Sequence, residues 1–241
     1  MFRGVRLAVV VPALDEEASI AEVVESFRRI AAVDEVVVVD NGSRDRTGER
    51  ARSAGARVLN EPRPGYGSAL RAGIGHVIER GAGLVALAEA DGTFEAADLE
   101  QLLAGLGPEG LVLGSRHARL SGAMRIGNRA VARFLTACWP GSGASLTDVG
   151  CTLRLFTAET WARLGPGTSA DGPEFSPQMM CEALRQGTGW REIPVRYRSR
   201  ASGSSKHTGS ALATLRTALR MLRAVVRKRL ESRADAPRSA G

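Results

Sequence analysis

The chain has 241 residues, 44% hydrophobic and 24% charged, with a net charge of +7 and an isoelectric point near 10.3. That length can bury one large α/β core, and the basic balance favours an anionic partner: a phosphorylated ligand, a membrane surface or a nucleic acid. Aromatics at only 5%, with no basic cluster interleaved among them, argue against a single-strand nucleic-acid platform. Three widely spaced cysteines, Cys138, Cys151 and Cys181, match neither zinc spacing nor a disulfide framework. No apolar run approaches the ~20 residues of a membrane span, and the N-terminus runs into a strand pattern without a signal-peptide core. A cytoplasmic protein is expected, free to lie against the inner face of a membrane. Lysine occurs only at Lys206 and Lys228, so nearly all positive charge is arginine.

In chain order, 7–12 reads as a buried strand and 20–30 as a helix. A strand at 35–40 precedes a helix from about 45 to 53. A strand at 56–59 precedes a helix at about 66–79. Then come a strand at 84–88, a helix at 96–106 and a strand at 110–114. Continuous apolar strands separated by helices of this length predict a mostly parallel sheet covered by helices on both faces. The second half is less regular: a helix at 124–138, a Gly/Ser-rich loop at 141–145, and a turn then strand over 146–156. A helix follows at 177–186, then a strand at 192–197 whose Pro194 predicts an edge position. A polar loop leads to a long basic helix at about 210–230, and composition predicts a disordered tail at 232–241.

In parallel sheets of this kind ligands bind beyond the carboxyl ends of the strands. Three such ends carry acids: Asp15-Glu16-Glu17, Asp40-Asn-Gly42-Ser43-Arg-Asp45, and Glu89-Ala-Asp91-Gly92. Carboxylates gathered at one rim repel one another unless a cation or donors compensate them. Glu89 and Asp91, at i and i+2, point to one face of an extended segment. Such a pair suits a hard divalent cation shared with substrate oxygens; equally, it reads as an acidic loop capping the next helix. Asp40 is open to two readings in the same way, a ligand for a ribose or base edge or a turn and helix cap.

Together, Pro12-Ala-Leu-Asp15-Glu16-Glu17, the stretch from Asp40 to Thr47, Asn60 to Gly73 and Glu89-Ala-Asp91-Gly resemble the family 2 glycosyltransferases of the GT-A fold. Gly114-Ser-Arg116, Asp148 to Arg154 and Arg200-Ala-Ser-Gly-Ser-Ser205-Lys206 resemble its polyprenyl-phosphate (dolichyl-phosphate) sugar synthase branch. The resemblance covers about residues 5–208 and implies a catalytic domain of 1–208. It implies a nucleotide-sugar donor held by Pro12, Ala13, Leu14, Glu16, Asp40, Gly42 and Ala90. It further implies Mg²⁺ or Mn²⁺ on Glu89 and Asp91, and catalytic roles for Asp91, Arg116, Asp148 and Arg154. The implied acceptor is a polyprenyl phosphate, its phosphate met by Arg116, Arg200, Ser205 and Lys206. Three positions depart from the family pattern: Glu89 stands where Asp is usual, Asp15 where Asn is usual, and Thr93 where a longer polar residue is common.

An anionic acceptor needs positive groups to position it, whereas an alcohol needs a general base. A related transferase with a hydroxyl acceptor would therefore use Asp148 or a nearby acid as base. A non-catalytic nucleotide-sugar binding module is the other alternative. For Arg116 and Arg154 a structural ion pair, such as one with Asp148, competes with an acceptor role.

The 209–231 helix carries Leu212, Leu215, Leu219, Leu222, Val226 and Leu230 at three- and four-residue spacing. Arg216, Arg220, Arg223 and Arg227 follow one position behind, and no acid lies between Glu192 and Glu231. Such a helix suits an anionic membrane surface, or packing on the domain or at a homo-oligomer interface. Nucleic acid is not an expected partner.

Overall fold

The computed structural model describes residues 1–116, 120, 122–139, 146–198 and 211–234. Strands β1 (Leu7–Ala13), β2 (Glu35–Asp40), β3 (Arg57–Asn60), β4 (Leu84–Leu87), β5 (Leu111–Ser115), β6 (Arg154–Thr157) and β7 (Arg191–Pro194) form one sheet. Helices α1 (Ile20–Arg28), α2 (Thr47–Ser53), α3 (Tyr66–Glu79), α4 (Asp98–Ala104), α5 (Gly122–Cys138), α6 (Ala158–Leu164), α7 (Phe175–Arg185) and α8 (Ala211–Ala234) cover it.

The sheet order is β3-β2-β1-β4-β6-β5-β7. β1 pairs in parallel with β2 and β4, β2 with β3, and β5 with β7. β6 runs antiparallel between β4 and β5. The continuous valines of β1 and β2 follow from burial on both faces. Val10, Val37 and Val39 pack under Leu70, Ile74 and Val77 of α3, while Val9, Val11 and Val38 pack under α1 and α4.

The edge position expected for β7 is the observed one, although β7 ends at Pro194 rather than continuing to 197. α7 begins two residues before Pro177, which sits in the first turn where its missing N–H costs nothing. α6 escaped the sequence reading: its seven residues follow β6 with no intervening loop, and Thr157 Oγ1 caps it by accepting from the Thr160 N–H. α8 reaches Ala234, so its last turns overlap the first residues of the expected tail.

The inserted β6 decides the site. An antiparallel strand starts where its parallel neighbours end, so Arg154 lies opposite Leu87 of β4 and Leu113 of β5. The residues before it, 148–152, are thereby carried to the acidic rim.

Candidate active site

The β1–β2 side of the rim consists of two loops latched to each other. Ala13 and Asp40 are register partners at the ends of β1 and β2, with Pro12 and Leu14 beside them. Asp40 accepts from the Ser43 N–H at 2.9 Å, closing the turn at Gly42, whose φ of +87° suits glycine. Most neighbouring acids serve the latch. Asp15 accepts from the Arg44 N–H, Asp45 from the Glu17 N–H, and Glu17 from the Arg46 N–H. The Glu16 N–H donates to Thr47 Oγ1 at 2.8 Å, fixing where the Glu16 side chain leaves the loop. Ser19 Oγ donates to the Ala90 carbonyl at 2.7 Å and ties this side to the β4 loop.

At the end of β4, Thr93 sits between the two carboxylates. Its hydroxyl contacts Asp91 Oδ1 at 2.7 Å and Glu89 Oε2 at 3.2 Å, and its N–H donates to Asp91 at 3.0 Å. Gly92, with φ +72°, makes the turn that brings Thr93 back over Asp91. Burial, then the neighbouring Asp91 charge, push the Glu89 carboxyl up, and donors including Thr152, Arg116 and Thr93 only partly offset this. Burial and the Glu89 charge likewise raise the Tyr66 phenol. Tyr66 Oη and Thr152 Oγ1 are buried without a well-formed hydrogen bond.

Arg116, one residue past β5, forms a two-pronged pair with Asp148: Nε to Oδ2 at 2.9 Å and Nη2 to Oδ1 at 3.0 Å. Asp148 also accepts from the Arg116 and Gly150 N–H groups, and from Asn128 of α5 at 2.7 Å. Burial alone would raise the Asp148 carboxyl, but the Arg116 hydrogen bonds and charge overcome it and hold the group below the ordinary carboxylate value. The Arg116 guanidinium also lies over the Tyr197 ring, 5.2 Å from its centroid. Tyr197 is held against Phe94 by a bridge and a ring contact of 5.6 Å. Burial pushes the nearby Cys151 thiol up to about 12, so it stays protonated.

Arg154 is placed differently. It is 1% exposed and donates to the carbonyls of Val149, Cys151 and Ser176, with no salt-bridge partner among the described residues. It braces the loop that carries Asp148 to the start of α7, and the ion pair with Asp148 that the sequence left open belongs to Arg116 alone. Arg200, Ser205 and Lys206 lie outside the described residues.

Glu89, Asp91, Arg116 and Asp148 thus come to one place, beside the Asp40 and Ala13 rim. Sequence reasoning missed Asn128, Thr152 and Tyr197. Tyr197 is one of only two tyrosines, its single visible signal; Asn128 gives none. Among the described residues no group of three His, Cys, Asp or Glu side chains converges as a ready-made metal site. What is present is a pair of hard oxygen donors crowded enough that one carboxyl is raised, and such a pair fits Mg²⁺ or Mn²⁺ completed by substrate oxygens and water.

The model of the family described as "Glycosyl transferase family 2" matches residues 8–158. The chain belongs to glycosyl transferase family 2. Relatives in the family include Glycosyltransferase AglJ of Haloferax volcanii, 32% identical over 82% of this chain and 65% of its own length. Another is the undecaprenyl-phosphate mannosyltransferase of Micrococcus luteus, 28% identical over 85% of this chain and 88% of its own. The chain spans 65% and 48% of the lengths of two Haloferax relatives, AglJ and the low-salt glycan biosynthesis hexosyltransferase Agl6. Among solved structures, glucosyl-3-phosphoglycerate synthase from Mycobacterium tuberculosis, in complex with Mn²⁺, UDP and glucosyl-3-phosphoglycerate, superposes with a TM-score of 0.75. It is 23% identical, over 93% of this chain and 80% of that one. The fold is GT-A: a mostly parallel seven-stranded sheet between helices.

Proposed function

We propose that the protein transfers a sugar, with inversion, from a nucleotide-sugar donor to the phosphate of a polyprenyl phosphate at the cytoplasmic face of a membrane. The observation that carries this reading is the state of Asp148. A hydroxyl acceptor needs a general base. Both oxygens of Asp148 are engaged and its carboxyl is held below the usual range, which makes it a poor proton acceptor. A phosphate acceptor is already a nucleophile and needs only to be held, and the Arg116 fork spends two of its five N–H donors on Asp148. The name of the Micrococcus relative, with undecaprenyl phosphate in it, points the same way.

In this reading the β1 and β2 ends hold the nucleoside, with Asp40 on the ribose or base edge. Glu89 and Asp91 would hold the divalent metal, which supplies charge neutralisation at the departing diphosphate. Thr93 orients both carboxylates. Tyr197 and Asp148 keep the Arg116 guanidinium fixed, so that its remaining donors meet the acceptor phosphate, the group to which the sequence also assigns Arg200, Ser205 and Lys206. Arg154 acts through the loop it braces.

The test is incubation with labelled nucleotide sugars, Mg²⁺ or Mn²⁺, and either a short polyprenyl phosphate or 3-phosphoglycerate. The expected result is label in the organic phase from one donor, dependent on the cation. Label appearing only in a water-soluble product with 3-phosphoglycerate would overturn the lipid acceptor in favour of the chemistry of the solved neighbours.

A further inference from the structure

Among the described residues seven large hydrophobic side chains are exposed, and five of them lie on two helices that pack together: Ile126 and Phe134 of α5, and Leu219, Val226 and Leu230 of α8. Ile126 is 72% exposed and Leu230 60%. A soluble helix pair normally turns such residues inward. Here α5 does bury an apolar face through Val131, Ala132 and Leu135, and α8 does so through Val225. The exposed set is therefore a second apolar face on each helix.

The surroundings of that face are basic. α5 contains three arginines and no acid, and α8 contains seven basic residues and only one acid, Glu231. Glu231 is already paired with Arg227 and Lys228. Arg125, Arg129, Arg133 and Arg223 are exposed, and no ion pair within the described residues engages them. The helix pair is also fixed in place rather than loosely appended. Lys228 reaches the buried Glu182 of α7 at 3.1 Å, Arg220 pairs with Glu174, and Arg229 lies over the Trp139 ring just beyond the end of α5. No helix among the described residues is long and apolar enough to cross a bilayer.

We propose that α5 and α8 together form a rigid docking face for an anionic lipid surface, with Ile126, Phe134, Val226 and Leu230 entering the interface and the arginines meeting lipid phosphates. Charge decides the occupant. A second copy of this chain would set one arginine-rich face against another, whereas an anionic bilayer neutralises it. The position of α5 gives the face its use. Asn128, on the side of α5 that buries Val131 and Leu135, holds Asp148 and through it Arg116. The helix that carries docking residues on its outer side thus also holds, from its inner side, the aspartate that fixes Arg116. The proposal deepens the lipid-acceptor reading but is tested without donor or acceptor.

The full chain is sedimented with vesicles of phosphatidylcholine alone, and with vesicles containing about 30 mol% phosphatidylglycerol. At low salt, binding at least tenfold tighter to the anionic vesicles is expected, and it weakens in about 0.5 M salt. Ile126→Asp and Phe134→Asp on α5, and Leu230→Asp on α8, should each lower that binding at least fivefold, with unchanged circular dichroism and melting. Equal affinity for both vesicle types would overturn the proposal. So would α5 variants that bind like the parent while only Leu230→Asp fails, since docking would then belong to α8 alone. A dimer in sedimentation velocity that Leu230→Asp dissociates, without anionic-vesicle binding, would assign the face to self-association. Transfer to a short, water-soluble polyprenyl phosphate separates the two readings. Vesicle-deficient variants should keep it, and its absence in the parent protein would count against the activity while leaving the vesicle result to stand or fall on its own.

Discussion

Asp148 is fully buried and Glu89 partly buried at the same rim, and they shift in opposite directions. Asp148 faces a guanidinium fork, an amide and two backbone N–H groups, which together overcome burial and hold it ionised. Glu89 has Asp91 for a neighbour and mainly hydroxyls for donors, so burial and like charge add and its carboxyl rises. Burial by itself therefore does not set the state of a carboxylate; its partners do. Asp148 is an anchor that positions the Arg116 guanidinium, whereas Glu89 and Asp91 crowd like charge together, a repulsion that a bound cation would relieve.

Three substitutions probe that contrast. The largest effect belongs to Asp91→Asn, which should lower transfer about a thousandfold, the scale of losing an electrostatic stabiliser of the departing group. Circular dichroism should be unchanged and the protection from melting by Mn²⁺ should vanish. Asp148→Asn comes next, leaving the partly buried Arg116 beside a neutral amide and costing about 3 kcal/mol in denaturant unfolding at pH 7. The folded Asp148 carboxyl lies below its unfolded value. Its contribution is therefore full above the ordinary carboxylate range and declines only as pH falls through it toward the lower folded value. The stability gap between parent and Asp148→Asn should stay constant from pH 8 to about 5 and narrow below about 4. The smallest effect has the opposite sign. Because the Glu89 carboxyl is raised in the folded protein, its charge weakens the metal-free fold as pH rises through that value. Glu89→Gln should therefore melt about 2 °C above the parent at pH 7.5 without divalent ions, and the two should converge at low pH. A lower melting point would place Glu89 with Asp148 as an anchor and collapse the distinction.

The first half of the chain was legible because every element there carries its own signal. The valine runs of β1 and β2, the glycine turns and the acids at three strand ends all announce themselves locally, and parallel neighbours send those ends to one rim by geometry alone. The second half was less legible for a physical reason. The four residues of β6 owe their place to the gap between β4 and β5 and not to any pattern of their own. α6 is seven residues long and begins where β6 stops, so no loop chemistry separates them. The clearest cost of this was Arg154. The family resemblance implied a catalytic role for it and its charge an acceptor contact or an ion pair with Asp148, and burial instead turned it to backbone carbonyls.

Composition, strand-end chemistry and the order of motifs were enough to determine a mostly parallel α/β sheet, an acidic rim beyond β1, β2 and β4, and a basic amphipathic C-terminal helix. Only the tertiary structure decided which acid pairs with which arginine, that Asn128 and Tyr197 belong to the site, and that α5 shares an exposed apolar face with α8. Those outcomes depend on an antiparallel strand inserted between parallel ones and on helix contacts between segments about a hundred residues apart. Local sequence periodicity records which face of an element is apolar, but not which neighbour, if any, will cover it.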